Sequence, residues 1–296
     1  MGVHTNNMKL NYIDIHSHLN LSPLLENKDQ IIQNMRDAGI GTITVGTDYE
    51  TSKLAVEMAN DRPDILWATV GQHPNDLHTG QAGNPDEVFD YEKYLELAKN
   101  EKVVAIGETG LDYYRLGSSD KVLVTSEEQK QQEIKIEKQR QKDLFIKHIE
   151  IAIETGKSLM IHARPAKNSM DVYEDVLDIL ETYQQKAKSQ KLAANFHFFV
   201  GDIEIAKRIV KNNWTMSFDG PITFTKDYDE VIKSIPLENI MAETDAPFAT
   251  PVPYRGQTNY PQYVEFIYKK IAEIKEISIN ECRAQILNNV KRVFGI

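Results

Sequence analysis

The sequence predicts an α/β fold, a single TIM-type (β/α)8 barrel over residues 1–296. Three observations predict it. Eight short apolar, β-branched runs recur at even spacing. Each is followed by an amphipathic or charged stretch long enough for a helix, the mark of repeated βα units. His, Glu and Asp residues gather just past the carboxyl ends of these runs, where α/β barrels carry their functional groups. Eight units favour closure over an open doubly wound sheet, and such barrels commonly use about 250 residues in one domain.

The runs read as strands at Leu10 to Ile15, Thr42 to Val45, Ile65 to Val70, Val103 to Ile106, Ser158 to Ile161, Ala193 to Phe198, Trp214 to Ser217 and Ile240 to Ala242. Helices are expected over Lys28 to Ala38, Glu50 to Asn60, Phe89 to Lys99, Glu127 to Thr155, Met170 to Thr182, Ile203 to Asn212, Asp227 to Ser234 and Pro261 to Ile274, with a closing helix near Asn280 to Phe294. One stretch departs from the pattern. From Arg115 to Lys142 a polar insertion runs into a highly charged helix, read as a solvated face, with Ser126 and Gln129 suited to cap its start. Gly39, Gly46, Gly71 and Gly107 fit no GxGxxG or Walker pattern and read as turn glycines.

Composition excludes several classes. No apolar run approaches the roughly 18 residues of a membrane span. Met1 to Lys9 lacks the basic start and apolar stretch of a signal peptide, and Cys282 is the only cysteine, so no internal disulfide forms. These features point to the cytoplasm, with no membrane association and no obligate protein partner. A net charge of −10 argues against a surface coated with phosphate-binding lysines. Any phosphate must be met locally, and bound divalent cations can reverse the sign that a substrate feels.

The first run ends in Asp14-Ile15-His16-Ser17-His18, and strand alternation points His16 and His18 to one side of the backbone, the inside of the barrel mouth. Paired imidazoles suit zinc, manganese or a similar ion. Glu108, His162, His197 and Asp245 fall at four further strand ends, so six metal-type ligands converge from five strands. A carboxylate such as Glu108 can bridge two ions (Mg, Mn or Zn), leaving the imidazoles and Asp245 to complete separate shells. A water shared between the ions would be the nucleophile, and Asp245, touching one ion, is the candidate general base. His73, in Gly-Gln-His-Pro after the third strand, is an imidazole able to donate to a phosphoryl oxygen.

The ordered strings His16-Ser-His18, GETGLDYY around Glu108, IHAR around His162, FHFFVG around His197 and ETDAP around Asp245 resemble the TatD family of metal-dependent deoxyribonucleases, within the amidohydrolase superfamily. The resemblance spans nearly the whole chain. It implies a TIM-type barrel with a two-metal centre acting on DNA, often as a 3′ exonuclease on single strands or at damaged sites. It places His16, His18, Glu108, His162, His197 and Asp245 on the family's metal-ligand positions, and His73 on a histidine near the substrate phosphate.

The sequence departs from the family pattern in three places. Ala163-Arg164-Pro165 stands where Ser-Arg-Asp is usual, removing an acid beside the metal ligands. Arg255-Gly256-Gln257-Thr258-Asn259-Tyr260-Pro261 lacks the two middle basic residues and the acid of the eighth loop. Phe198 and Val200 replace smaller or more polar residues. Arg164 and Arg255 remain, and a guanidinium grips a phosphate in a bidentate fork or forms an ordinary surface ion pair. Tyr113, Tyr114, Phe248 and Tyr254 lie on the same loops, where aromatic faces stack unpaired bases, with packing expected for at least two of them. The leading expectation is therefore a phosphodiesterase acting on single-stranded DNA, with Asp245, Glu108 and His73 catalytic and Arg164, Arg255 and Tyr113 binding substrate. Two alternatives stay open: a related metallohydrolase acting on a small ester, lactone, amide or phosphate ester, and a non-catalytic binding protein that keeps the barrel.

Overall fold

The computed structural model describes residues 10–75, 88–114, 116, 126–186 and 191–296; the N-terminal stretch 1–9 and residues 115 and 117–125 of the insertion, both read from the sequence above, lie outside them. Among the described residues the strands are β1 (Tyr12–Ser17), β2 (Ile40–Thr44), β3 (Leu66–Val70), β4 (Val103–Asp112), β5 (Ser158–Arg164), β6 (Ala194–Phe196), β7 (Thr215–Phe218) and β8 (Ile240–Ala242). The helices are α1 (Lys28–Ala38), α2 (Tyr49–Asp61), α3 (Tyr91–Ala98), α4 (Glu127–Thr155), α5 (Asp171–Lys186), α6 (Ile203–Lys211), α7 (Asp229–Ser234), α8 (Val264–Lys275) and α9 (Ile279–Phe294). All strands pair in parallel in sequence order, β1 to β8.

Closure is made just past the strand ends. Asp245 N donates to His16 O (2.9 Å) and His18 N to Ala246 O (2.7 Å). Below them the buried Asp14 carboxylate accepts from Thr244 N (2.9 Å), Thr244 Oγ1 (2.7 Å) and His16 N (3.2 Å). The seam between the first and last strands is thus sewn by two backbone hydrogen bonds and by three more to one buried carboxyl group, whose burial pushes its pKa well above the usual carboxylate value.

Local chemistry explains where the helices begin and end. Asp48, Asp90, Ser126, Asp202 and Ser278 each accept from a backbone N–H three residues on, at the starts of α2, α3, α4, α6 and α9. Such a cap contributes about 1 kcal/mol. Gly39, Gly156 and Gly295 end α1, α4 and α9 in the left-handed conformation. The buried apolar residues of the strands and inner helix faces join into one contiguous core.

The register slips at two places that matter for the site. Between Asp14 and Ser17, Ile15 and His16 stand opposite Ile43 alone. Between Ile106 and Thr109, Gly107 and Glu108 stand opposite Met160 alone. An extra residue of this kind bends a strand and re-aims a side chain, and here it turns His16 and Glu108 into the lumen. β4 also runs six residues beyond its expected end at Ile106, because Gly107 and Gly110 let it lie close against β5. A Cβ on Gly110, whose φ is +140°, would overlap the carbonyl oxygen of His162.

Gly110→Ala is therefore expected to cost about 2–4 kcal/mol, the sum of a strained φ and an overpacked contact. Gly256→Ala, where φ is +86° but nothing lies within 4 Å, should cost about 1 kcal/mol. Urea denaturation of the two variants beside the wild type measures both, and equal losses would contradict the close approach of β4 to β5.

Candidate metal centre

Strand alternation and the two register slips bring the predicted ligands together. His16 and His18, both from the end of β1, set their Nε2 atoms 3.2 Å apart. Asp245 Oδ1 lies 3.6 Å and 3.3 Å from them, and Glu108 Oε2 lies 3.5 Å and 3.9 Å away. On the other side Glu108 Oε1 meets His162 Nδ1 (2.8 Å), His197 Nε2 (2.8 Å) and His73 Nε2 (3.3 Å). One carboxylate thus offers one oxygen to each of two imidazole groups. His16 and His197 stack with ring centroids 4.0 Å apart. Three sets of donors close enough to hold an ion result: His16, His18 and Asp245; His16, His197 and Glu243; and His73, Glu108 and His162. His73, read as a phosphate-side histidine, here joins the donors around Glu108 Oε1.

The residues fit a metal. Facing imidazole nitrogens stand only 3.2 Å apart in two places, and His16 Nδ1 is buried without a hydrogen-bond partner among the described residues. Nitrogen and carboxylate donors together suit zinc or manganese. The titration behaviour follows the crowding. Burial raises Glu108, but the His197 and His73 charges and the hydrogen bonds from His16 and His162 outweigh it and hold it well below the usual range. Asp245 is likewise lowered against burial, chiefly by His18. Burial lowers His16 and His73. It is overcome at His18 by Asp245, at His162 by Asp112 and Glu108, and at His197 by Glu108 and Glu243, so these three rise.

A ring of buried carboxylates behind the donors escaped the sequence reading. Asp112 Oδ2 meets His162 Nε2 (3.0 Å) and accepts from Asn75 Nδ2 (2.5 Å), while Asp112 Oδ1 accepts from Tyr114 N (3.0 Å). The stretch after Arg164 lacks an acid, but β4 supplies one to the same histidine. Glu243 lies 3.5 Å from His197 Nδ1 and accepts from Phe198 N (2.6 Å) and Ser217 Oγ (2.7 Å). That bond holds Phe198 at a φ of +45°, a strained value for a bulky residue. Both acids stand in the signature strings GETGLDYY and ETDAP. The signal that would have found them is strand alternation, which puts Asp112 and Glu243 an even number of residues from Glu108 and Asp245.

Of the expected substrate residues, Tyr113 is not at the mouth. It is 1% exposed, its hydroxyl donates to Asp175 Oδ2 (2.7 Å) and Lys138 covers its ring. A tyrosine at the end of β4 alternates away from the lumen that Asp112 faces, into the helix layer. Arg164 and Arg255 are exposed, each with its guanidinium 4.0 Å above an aromatic ring, Tyr114 and Phe224 respectively. Tyr254 packs flat on Tyr263, whereas Tyr114 and Phe248 are 53% and 55% exposed. Phe248 lies edge-on to His18. Phe224, 39% exposed, was not singled out from the sequence.

Two outcomes are expected. Asp112→Asn, which keeps the shape but removes the charge on His162, should weaken metal affinity about 10–100-fold with the fold intact, read by isothermal titration with Mn2+; unchanged affinity would rule out that role. The pH dependence has a definite sign. His18, His162 and His197 hold protons more tightly folded than unfolded, so their stabilisation is full below the unfolded imidazole value of about 6.5 and lost as pH rises through their higher folded values. An ion needs the same nitrogens deprotonated. Metal-free protein should lose thermal stability above pH about 6.5, the unfolded imidazole value, while the gain on adding Mn2+ grows. A metal-induced shift in Tm that is constant across that range would contradict the assignment.

Comparison with known proteins agrees with this geometry. Residues 13–295 match the family described as TatD related DNase. An uncharacterized metal-dependent hydrolase of Bacillus subtilis, YabD, is 34% identical over 286 residues, covering 96% of this chain and 98% of its own. The uncharacterized metal-dependent hydrolase MG009 of Mycoplasma genitalium is 34% identical over 299 residues, covering 96% and 99%. Among solved structures, the TatD homolog YJJV of Escherichia coli superposes with a TM-score of 0.75 at 23% identity, covering 98% of this chain and all of that one. A hydrolase of the TatD family from Entamoeba histolytica gives 0.69 at 21% identity, covering 97% and 99%. With eight parallel strands, donors at their ends and a match over nearly its whole length, this chain belongs to the TatD family of metal-dependent hydrolases.

Proposed function

We propose that this protein cleaves phosphodiester bonds of single-stranded DNA, removing nucleotides from the 3′ end, with two divalent ions held on either side of Glu108. The observation that carries the reading is the split of Glu108, one oxygen toward His16 and His18 and the other toward His162, His197 and His73. Two ions, when bound, would supply Lewis acidity at the phosphorus and an activated water. His16, His18 and Asp245 would hold one, and His162 and His197 the other. Asp245, anionic and beside His18, would take the proton of the attacking water. His73, kept neutral by burial, would hydrogen-bond a phosphoryl oxygen or join the second set of donors.

The rim supports an unpaired strand. Arg164 over Tyr114 and Arg255 over Phe224 give cation and aromatic face together at two points, and Phe248 gives a third exposed ring beside His18. Aromatic faces stack bases without regard to sequence, at about 1–3 kcal/mol per base, and need the bases unpaired. Local pairs of this kind also suit a chain of net charge −10, which has no general attraction for a polyanion.

The test is cleavage of end-labelled oligonucleotides by protein reloaded with Mg2+ or Mn2+. Stepwise shortening from the 3′ end is expected, faster on single strands than on duplex and abolished by Glu108→Ala. Arg164→Ala and Arg255→Ala should each raise KM about tenfold, the loss of one charged phosphate contact, with kcat held. A preference for lactones or small esters over every oligonucleotide would sink the reading in favour of a small-molecule hydrolase.

A further inference from the structure

We infer that Asp219, at the end of β7, is a further carboxylate of the metal centre, a positioning residue whose free oxygen accepts a hydrogen bond from water held there. It rests on the presence of a metal centre and not on the substrate proposed above.

The placement follows from alternation. Thr215 Oγ1 donates to Asn195 Oδ1 (2.9 Å), and Ser217 Oγ accepts from Asn195 Nδ2 (2.8 Å) and donates to Glu243 Oε2 (2.7 Å). The odd-numbered residues of β7 therefore face the lumen. Asp219 is the next of them, and β7 lies between β6 and β8, the strands that lead to His197 and Asp245. It is 2% exposed, and its Oδ2 has no hydrogen-bond partner among the described residues.

The ordinary structural use of an aspartate at this position is declined. Asp219 directly precedes the short 3-10 turn Gly220–Thr223, yet its side chain makes no capping bond, unlike Asp48, Asp90 and Asp202. The turn needs no such help. A Cβ on Gly220 would overlap the carbonyl oxygen of Ala249, and Val252 N donates to Thr223 Oγ1 (3.0 Å). This packing fixes Asp219 relative to the loop that carries Asp245.

Its charged neighbours are Glu243 and Asp245, which repel it, and His197, which attracts it. A buried carboxylate with an open oxygen beside two others is costly, and His197 together with the backbone N–H of Asp219 itself offsets only part of that cost. A dication among these groups would offset the rest. Asp219 is outside the three close sets of donors, so it acts one water away rather than as a ligand. Groups behind metal ligands typically tune affinity about 10–100-fold.

The experiment titrates Mn2+ into metal-free wild type, Asp219→Asn and Asp219→Ser by calorimetry and records Tm with and without the ion. Both variants are expected to bind at least one Mn2+ about 10–100-fold more weakly, with a metal-free Tm equal to or above that of the wild type and a smaller gain on adding Mn2+. Affinity equal to the wild type overturns the proposal alone. So does a lowered metal-free Tm with an unchanged gain, or the failure of both variants to fold, since either marks a structural role. Absence of Mn2+ binding by the wild type overturns the metal centre itself, and this proposal with it.

Discussion

The site depends on one buried anion. Glu108 lies inside the barrel with imidazoles on both of its oxygens, and an uncompensated carboxylate in that position would be prohibitive. Its location is a backbone matter before it is an electrostatic one. The slip in register between β4 and β5 turns the side chain inward, and the two flanking glycines allow the approach to β5 that the slip requires. His162, on β5, then reaches the same oxygen as His197 on β6. Shift β4 by one residue and the imidazoles of β1 lose the carboxylate that they share with those of β5 and β6.

Around this core the barrel spends polar groups freely. Asp14, Asp112 and Glu243 are all buried, and each fixes a donor or the loop beside it through hydrogen bonds to backbone and side chain. The strain at Phe198 and the left-handed Asp245 lie next to donors as well. Sites of this kind are held together by the surrounding structure rather than by their own stability. The apolar core beneath, with capped helices on its outside, is what tolerates the concentration of charge at the mouth.

Much of this was legible in the sequence, for physical reasons that can be named. The helix bounds of α1 and α4 agree with expectation because a glycine ends each and, for α4, Ser126 caps the start. The strand-end donors were legible because alternation and position past an apolar run are local properties. β4 was read short because Gly107 reads as a turn glycine when the neighbouring strand is unknown. Tyr113 and Tyr114 are adjacent and chemically alike; which one is buried depends on Asp175 and Lys138, more than 20 residues distant in sequence. Exposure of Phe224 depends in the same way on packing between loops. The metal donors are written locally, and the substrate rim is written in tertiary contacts.

The seam between β1 and β8 carries a consequence for the life of the chain. The bonds that shut the barrel are made by the backbone of His16, His18 and Asp245 themselves, with Asp14 reaching Thr244 across 230 residues of sequence. Long-range closure of this kind is slow, because the chain must lose a large loop's freedom before the contact rewards it. During synthesis the first histidines emerge long before their carboxylate partner. A nascent or truncated chain therefore carries only part of the donor set, which is complete only once the loop after the last strand has packed against β1. An ion held there would act as a clasp on a finished barrel, since the donors at the ends of the first and last strands stand together only once it has closed.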